Sequence, residues 1–384
     1  MNVILLFPLL LPNIGIFAYF NYTISLSIIS FLLFKSKESD ANILFSIVVI
    51  FAILSIFWIS LLFGSFSGFT INARDMVEFA RIIPYILLLL IVKLKIQYNF
   101  ARIIVWFFVL NILFCIFQYL FPDHSLLQIY ATQTKQLDII QKHRLIGFLD
   151  NPNIFSFYLI ITYFFLYEKI SLFLRYILFA IILIMISIVG SRTGFITFLI
   201  VILLLLLMKA IGTKRLLYLS VLTGIFYGLI LHKDIWMGTL RWLSPYMAYG
   251  IDMVLSNKIG ELHVITVRQQ YWLEDMKFFY ASPIFGVGSG YGFIERSYSD
   301  NTYVYLLARY GIVGLLSYLF SLFLLYKWAR RDKSIFLYSV LVSFILFGLT
   351  AEVFLHNLIL YYLSILFFTH NFLLPRMPDF SSKD

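Results

Sequence analysis

Of the 384 residues, 62% are hydrophobic and 12% charged, and the mean hydropathy is +0.94; no water-soluble core needs so much apolar surface, which excludes an ordinary soluble domain. The formal charge of +10 falls in short basic clusters beside apolar runs, where anionic headgroups attract them, and this argues against nucleic acid as a partner. Cys115 is the only cysteine and lies within an apolar run, which excludes a disulfide framework and a thiolate metal site.

A helix needs about 20 apolar residues to span the hydrocarbon, and the chain offers about twelve such runs. In chain order the expected spans are residues 3–20, 22–34, 41–63, 77–94, 102–121, 154–167, 172–189, 193–208, 216–231, 302–326, 335–349 and 353–368. Pro8, Pro12 and Asn13 interrupt the first stretch. It is read as two short crossings, the alternative being one crossing and an interfacial piece. The first run lacks the cleavage site of a removable signal and is expected to remain as an anchor. The predicted fold class is thus all-α, a polytopic integral membrane protein of about twelve transmembrane helices forming one domain over residues 1–384. A shorter outer loop is expected at 122–153, and a long one at 233–301, between the ninth and tenth helices.

Cytoplasmic loops retain Lys and Arg. With both termini inside, sixteen basic residues fall on the cytoplasmic side, in clusters such as Lys35/Lys37, Lys93/Lys95, Lys214/Arg215 and Arg330/Arg331/Lys333. The short outer connections hold only Arg74, Lys135, Lys142, Arg144 and Arg192. This asymmetry sets the expected orientation.

Candidate chemistry concentrates in the outer segments. Arg192, in Ser191-Arg192-Thr193, joins two intensely apolar runs, and an ion in that position implies an anionic, lipid-borne partner. In the long loop, Arg268, Trp272, Met276, Phe279 and Tyr280 recur at helical spacing, while Gln270, Glu274, Asp275 and Lys277 occupy other faces. That pattern predicts an amphipathic helix lying on the membrane or capping the bundle, and a snorkelling Arg268 fits the spacing as well as a ligand role does. Asp300 stands at the mouth of the tenth span, where a helix N-cap is the simplest reading. Glu78 and Arg81 are expected to satisfy each other, and Arg309 to face the bundle interior. Glu352 with His356 is an alternative acid/base pair. The alternating Gly286, Gly288, Gly290 and Gly292 fit no dinucleotide fingerprint.

Taken together, Arg144…Gly147…Asn151-Pro152-Asn153, then Ser191-Arg192-Thr193-Gly194, then Arg268, then Asp300-Asn301-x-Tyr303 with Gly311 and Gly314 resemble the O-antigen polymerase and O-antigen ligase superfamily. These are integral membrane glycosyltransferases of bacterial surface polysaccharide assembly. The resemblance implies a GT-C-like architecture in the bacterial inner membrane, and donor and acceptor glycans carried on a polyprenyl (undecaprenyl) pyrophosphate at the outer face. It also implies membrane lipids and a chain-length regulator as partners, with no nucleic acid. In the ligase branch a histidine commonly precedes the asparagine of the last motif; this chain has Asp300 there, which favours the polymerase branch.

The residue chemistry agrees. Outside the cytoplasm no nucleotide sugar is supplied, so a transferase needs a donor that is already activated. Arginine binds phosphate oxygens bidentately, and Arg192 and Arg268 are assigned to the pyrophosphate. Asp300 is the candidate base for the acceptor hydroxyl, and a single displacement would invert the anomeric centre. Arg144, Asn301, Tyr303, Trp272 and Arg309 are further candidate substrate contacts. Tyr271, Tyr291 and Tyr298 join Trp272 as sugar-stacking candidates, although interfacial aromatics serve more often as belt residues. No metal and no cofactor is required. The competing readings are a ligase acting on lipid A core, and a lipid-linked oligosaccharide flippase, for which an internal repeat is absent.

Overall fold

The computed structural model describes residues 2–12, 15–35, 55–69, 75–94, 96–142, 144–209, 237–241, 244–256, 258, 263–288 and 299–373. These are helical, with no strand among the described residues, as expected where a bilayer leaves the backbone no other way to satisfy its polar groups. In chain order the helices are α1 (Asn2–Leu10), α2 (Gly15–Lys35), α3 (Ser55–Phe66), α4 (Asp75–Leu94), α5 (Ala101–Leu120), α6 (Leu127–Tyr130) and α7 (Gln133–Lys142). They continue with α8 (Pro152–Tyr167), α9 (Leu172–Val189), α10 (Arg192–Lys209), α11 (Pro245–Leu255), α12 (His263–Ala281), α13 (Thr302–Asp332), α14 (Ile335–Phe347) and α15 (Asn357–Leu373). Among the described residues, α5, α9 and α13 are long and apolar enough to cross a membrane, and several shorter helices are equally apolar. The expected span 216–231, and 41–54 of the span 41–63, lie outside the described residues, as do Tyr291 and Tyr298.

Three boundaries differ from expectation. The first break falls after Leu10, ahead of Pro12, rather than near residue 21. Proline disfavours helical geometry in the residue before it, and buried Asn21, inside continuous α2, donates to the carbonyls of Pro8 (2.9 Å) and Leu11 (3.4 Å). At 1.5 Å per residue α1 is about 14 Å long, less than the roughly 30 Å thickness of the hydrocarbon. Next, Val353–Leu355 is a 3-10 turn, and α15 starts only at Asn357. The third is the expected continuous span at 302–326, which is interrupted at Gly311 (φ 62°, ψ −162°).

That interruption is filled by the segment following α12. Ile312 N donates to Pro283 O (2.9 Å), Val313 N to Ile284 O (3.1 Å), and Gly288 N to Arg309 O (2.9 Å), so backbone groups freed by the break find partners. A Cβ on Gly311 would stand 2.3 Å from Ile284 O, and one on Gly286 2.3 Å from the carbonyl carbon of Arg309; here the backbones touch, and only glycine fits. This is the physical meaning of Gly286, the first of the alternating glycines.

The bundle has a defined polarity. At one end Glu168 Oε1, just past α8, accepts from the backbone of Ile335 (2.7 Å) and Phe336 (3.2 Å) at the start of α14. At the other, Thr302 N donates to Gly348 O (2.7 Å), Thr350 Oγ1 to Thr193 Oγ1 (2.9 Å), and Ser191 Oγ to Asn153 Oδ1 (2.9 Å). The motif residues around 151–153, 191–194 and 300–303 therefore meet at the end opposite Lys169 and Lys333.

Candidate active site

Arg192 opens α10 directly after the left-handed Gly190 that ends α9 (φ 69°). Ser191 Oγ accepts from Gly194 N (3.1 Å), holding the first turn. The Arg192 guanidinium lies 4.2 Å from the centre of the Tyr246 ring and donates to Tyr246 O (3.3 Å). Arg144 stacks on the same ring at 4.3 Å. Its segment is anchored by buried Gln118 of α5, whose Oε1 accepts from Ile146 N (3.2 Å) and Gly147 N (3.1 Å). Helix α11 is pressed so closely on Arg192 that a Cβ at Gly250 would sit 2.0 Å from Nε. Like-charge repulsion from both Arg144 and Arg268 reaches Arg192. A π face offsets part of that repulsion; an anion would offset far more.

Tyr246 and α11 escaped the sequence reading, which expected one helix in the long loop. The signal was present: Ser244-Pro245 is a plausible helix start, with proline at the first helical position.

Asp300 is not the cap of α13. That role belongs to Asn301, whose Oδ1 accepts from Tyr303 N (2.9 Å) and Val304 N (3.1 Å). Asn301 is buried, and its side-chain oxygen is committed to capping. Released from capping, Asp300 adopts a left-handed backbone (φ 53°) and leaves its carboxylate half-exposed, with Oδ2 3.6 Å from Arg268 Nε. Arg268 also donates to Thr350 O (3.4 Å), and Thr350 bonds Thr193, the neighbour of Arg192. Short contacts thus connect Asp300 and Arg268 to Thr350 and Thr193, next to Arg192 in the chain.

Other candidates are placed elsewhere. Trp272 Nε1 donates to Ser299 O (3.0 Å) and so supports the Asp300 loop. The Tyr303 hydroxyl donates to Ile345 O (2.9 Å), tying α13 to α14. Arg309 is 1% exposed, 4.0 Å from the equally buried Asp275 and beside the Tyr305 and Phe278 rings. It faces the interior as expected, but as part of the packing of α12 on α13 and away from the arginine cluster. Asp275, expected on a polar face of α12, is instead the most buried of the helix's described side chains. The Glu78 and Arg81 side chains lie outside the described residues.

The proposed Glu352/His356 pair is divided. His356 Nε2 lies 3.2 Å from Asp150 Oδ1, and Asp150 also has a left-handed backbone (φ 57°). Glu352 Oε1 accepts from Ser299 N (2.9 Å), Asn301 N (3.2 Å) and Ser299 Oγ (3.3 Å). Burial, and then repulsion from Asp300, raises the Glu352 carboxyl from 4.5 to about 7 against these donors.

A raised carboxyl means that the folded state holds a proton that the unfolded chain has released between pH 4.5 and 7. The folded protein should therefore lose stability as pH rises through that window, by on the order of 3 kcal/mol, with the cost complete above it and absent below. Glu352→Gln removes the titration. It should melt higher than the parent at pH 8, with the difference vanishing near pH 4.5; a gap that does not change with pH would contradict the assignment.

Among the described residues no group of three His, Cys, Asp or Glu side chains is placed to hold a metal. No protein-family model matches the chain, and no curated protein matches it significantly. Fold and site define an all-helical, membrane-embedded protein that gathers arginines and a freed carboxylate at one end of its bundle.

Proposed function

We propose that the protein is a membrane glycosyltransferase that joins polyprenyl-pyrophosphate-linked repeat units into a surface polysaccharide. The observation that carries this reading is the double engagement of Arg268, which lies 3.6 Å from Asp300 and donates to Thr350 O, the residue whose hydroxyl bonds Thr193 beside Arg192. A diphosphate bound by the arginines would then lie beside the carboxylate that receives the acceptor proton. In the reaction, the acceptor hydroxyl attacks the anomeric carbon with inversion and its proton passes to Asp300. The bond between that carbon and the phosphate oxygen breaks, and polyprenyl pyrophosphate leaves with its charge neutralised by guanidinium groups.

An apolar cleft of about 290 Å³ between α3, α4 and α13, lined by Tyr85, Tyr310, Tyr318 and Phe354 among others, offers room for part of a lipid chain. By the charge rule, this end faces outward from a bacterial inner membrane, with about twelve spans and both termini cytoplasmic.

The test is gel analysis of surface polysaccharide from cells whose only copy carries Asp300→Asn. Single-repeat glycan without long chains is the expected pattern. A retained ladder would refute the polymerase. Polymer that forms in a knockout but fails to reach lipid A would indicate a ligase, and intermediates trapped on the cytoplasmic face a flippase.

A further inference from the structure

We infer that Glu352 is a positioning residue for Asp300, gripping the backbone on both sides of it so that the carboxylate stays turned toward Arg268. This rests on the polymerase reading and adds a residue that acts through another.

The geometry is specific. One carboxylate oxygen, Oε1, takes hydrogen bonds from the backbone N–H of residue 299 and from that of residue 301, the two neighbours of Asp300. The Ser299 hydroxyl supplies a third to the same oxygen. Asp300 itself sits at φ 53°, a conformation an ordinary L-residue keeps only when its surroundings impose it. Those surroundings are now identified: Glu352 on the N–H side, Trp272 on the Ser299 carbonyl, and the Asn301 cap locking the start of α13. Glu352 is carried by the short turn between α14 and α15, which Thr302 also ties down through Ala351 O (2.9 Å), so the grip is mounted on packed helices. Placing a partly buried carboxylate beside a second carboxylate costs stability, the kind of cost that proteins tolerate at working sites.

Protonation should modulate the grip, because a carboxylate is a much stronger acceptor than a neutral acid. The charged group that repels Glu352 is Asp300, on the loop it grips, and Arg268 of α12 lies on the other side of that carboxylate at 3.6 Å. Glutamine keeps one acceptor oxygen at every pH, whereas alanine keeps none.

The experiment compares Glu352→Ala, Glu352→Gln and Asp300→Asn as full-length proteins. It measures polysaccharide chain length in cells grown from pH 5.5 to 8, and binding of undecaprenyl pyrophosphate to each protein purified in nanodiscs. Glu352→Ala should lower long-chain product at least about tenfold with undecaprenyl pyrophosphate binding unchanged. Glu352→Gln should stay within about threefold of the parent and lack the parent's decline in activity as pH falls through 7. Parental chain length in Glu352→Ala, or loss of lipid binding together with activity, would overturn the inference. Should Glu352→Ala fail to fold, the glutamine variant decides: an acid-side decline still centred near 7 overturns it. If Asp300→Asn makes normal chains, the polymerase reading fails; if Asp300→Asn is inactive while Glu352→Ala is normal, only the role of Glu352 fails.

Discussion

Arg192→Ala is expected to eliminate long-chain polysaccharide and to weaken undecaprenyl pyrophosphate binding by at least tenfold. The argument is electrostatic. Arg192 stands at the first position of α10, where the positive end of the helix dipole adds to its charge, and a second guanidinium shares its aromatic platform. Removing one preorganised cation from a developing phosphate charge costs about 10²- to 10³-fold in rate. Arg192→Lys should not restore activity, because an ammonium lacks the planar fork that stacks on Tyr246 while engaging two oxygens. Gly250→Val supplies an independent check: a side chain whose Cβ would fall 2.0 Å from Arg192 Nε must displace the guanidinium without altering its charge. It should reproduce most of the binding loss. Lipid binding that survives in both variants would remove Arg192 from the diphosphate site.

Arg309→Leu should be the most destabilising of the charge deletions. It takes the Arg309 guanidinium away from Asp275, 2% exposed at the side chain, and breaking a buried ion pair from one side typically costs about 3–5 kcal/mol. Replacing both partners, Arg309→Leu with Asp275→Leu, should recover most of that loss, because apolar substitutes for a buried ion pair are often neutral. Thermal unfolding of the single and double variants in one detergent gives the coupling. If the double variant melts as low as Arg309→Leu, the pair is not the source of the effect.

How far the sequence revealed all this depended on the range of the interactions. Apolar run length gave α8, α9 and α10 to within one or two residues, because bilayer thickness alone sets it. The shared end of Arg144, Arg192, Arg268 and Asp300 was legible from loop charge. The cap of α13 was not, because Asp300 and Asn301 are both good N-caps and local pattern does not fix the phase by one residue. The burial of Asp275 was hidden for a related reason: the spacing of apolar neighbours set the helical face, while its partner Arg309 lies 34 residues onward. Gly286 and Gly311 carried no local message, since each is required by the backbone of the other's segment.

That last pairing limits how the protein can be re-engineered. The stretch just beyond the helix bearing Arg268 is stitched through the interrupted rod by main-chain bonds, so the segment that precedes the rod is no removable appendage. A chimera that swapped this segment but kept the native rod would leave buried donors and acceptors stranded. Residues 263–313 therefore form one cassette, to be exchanged whole.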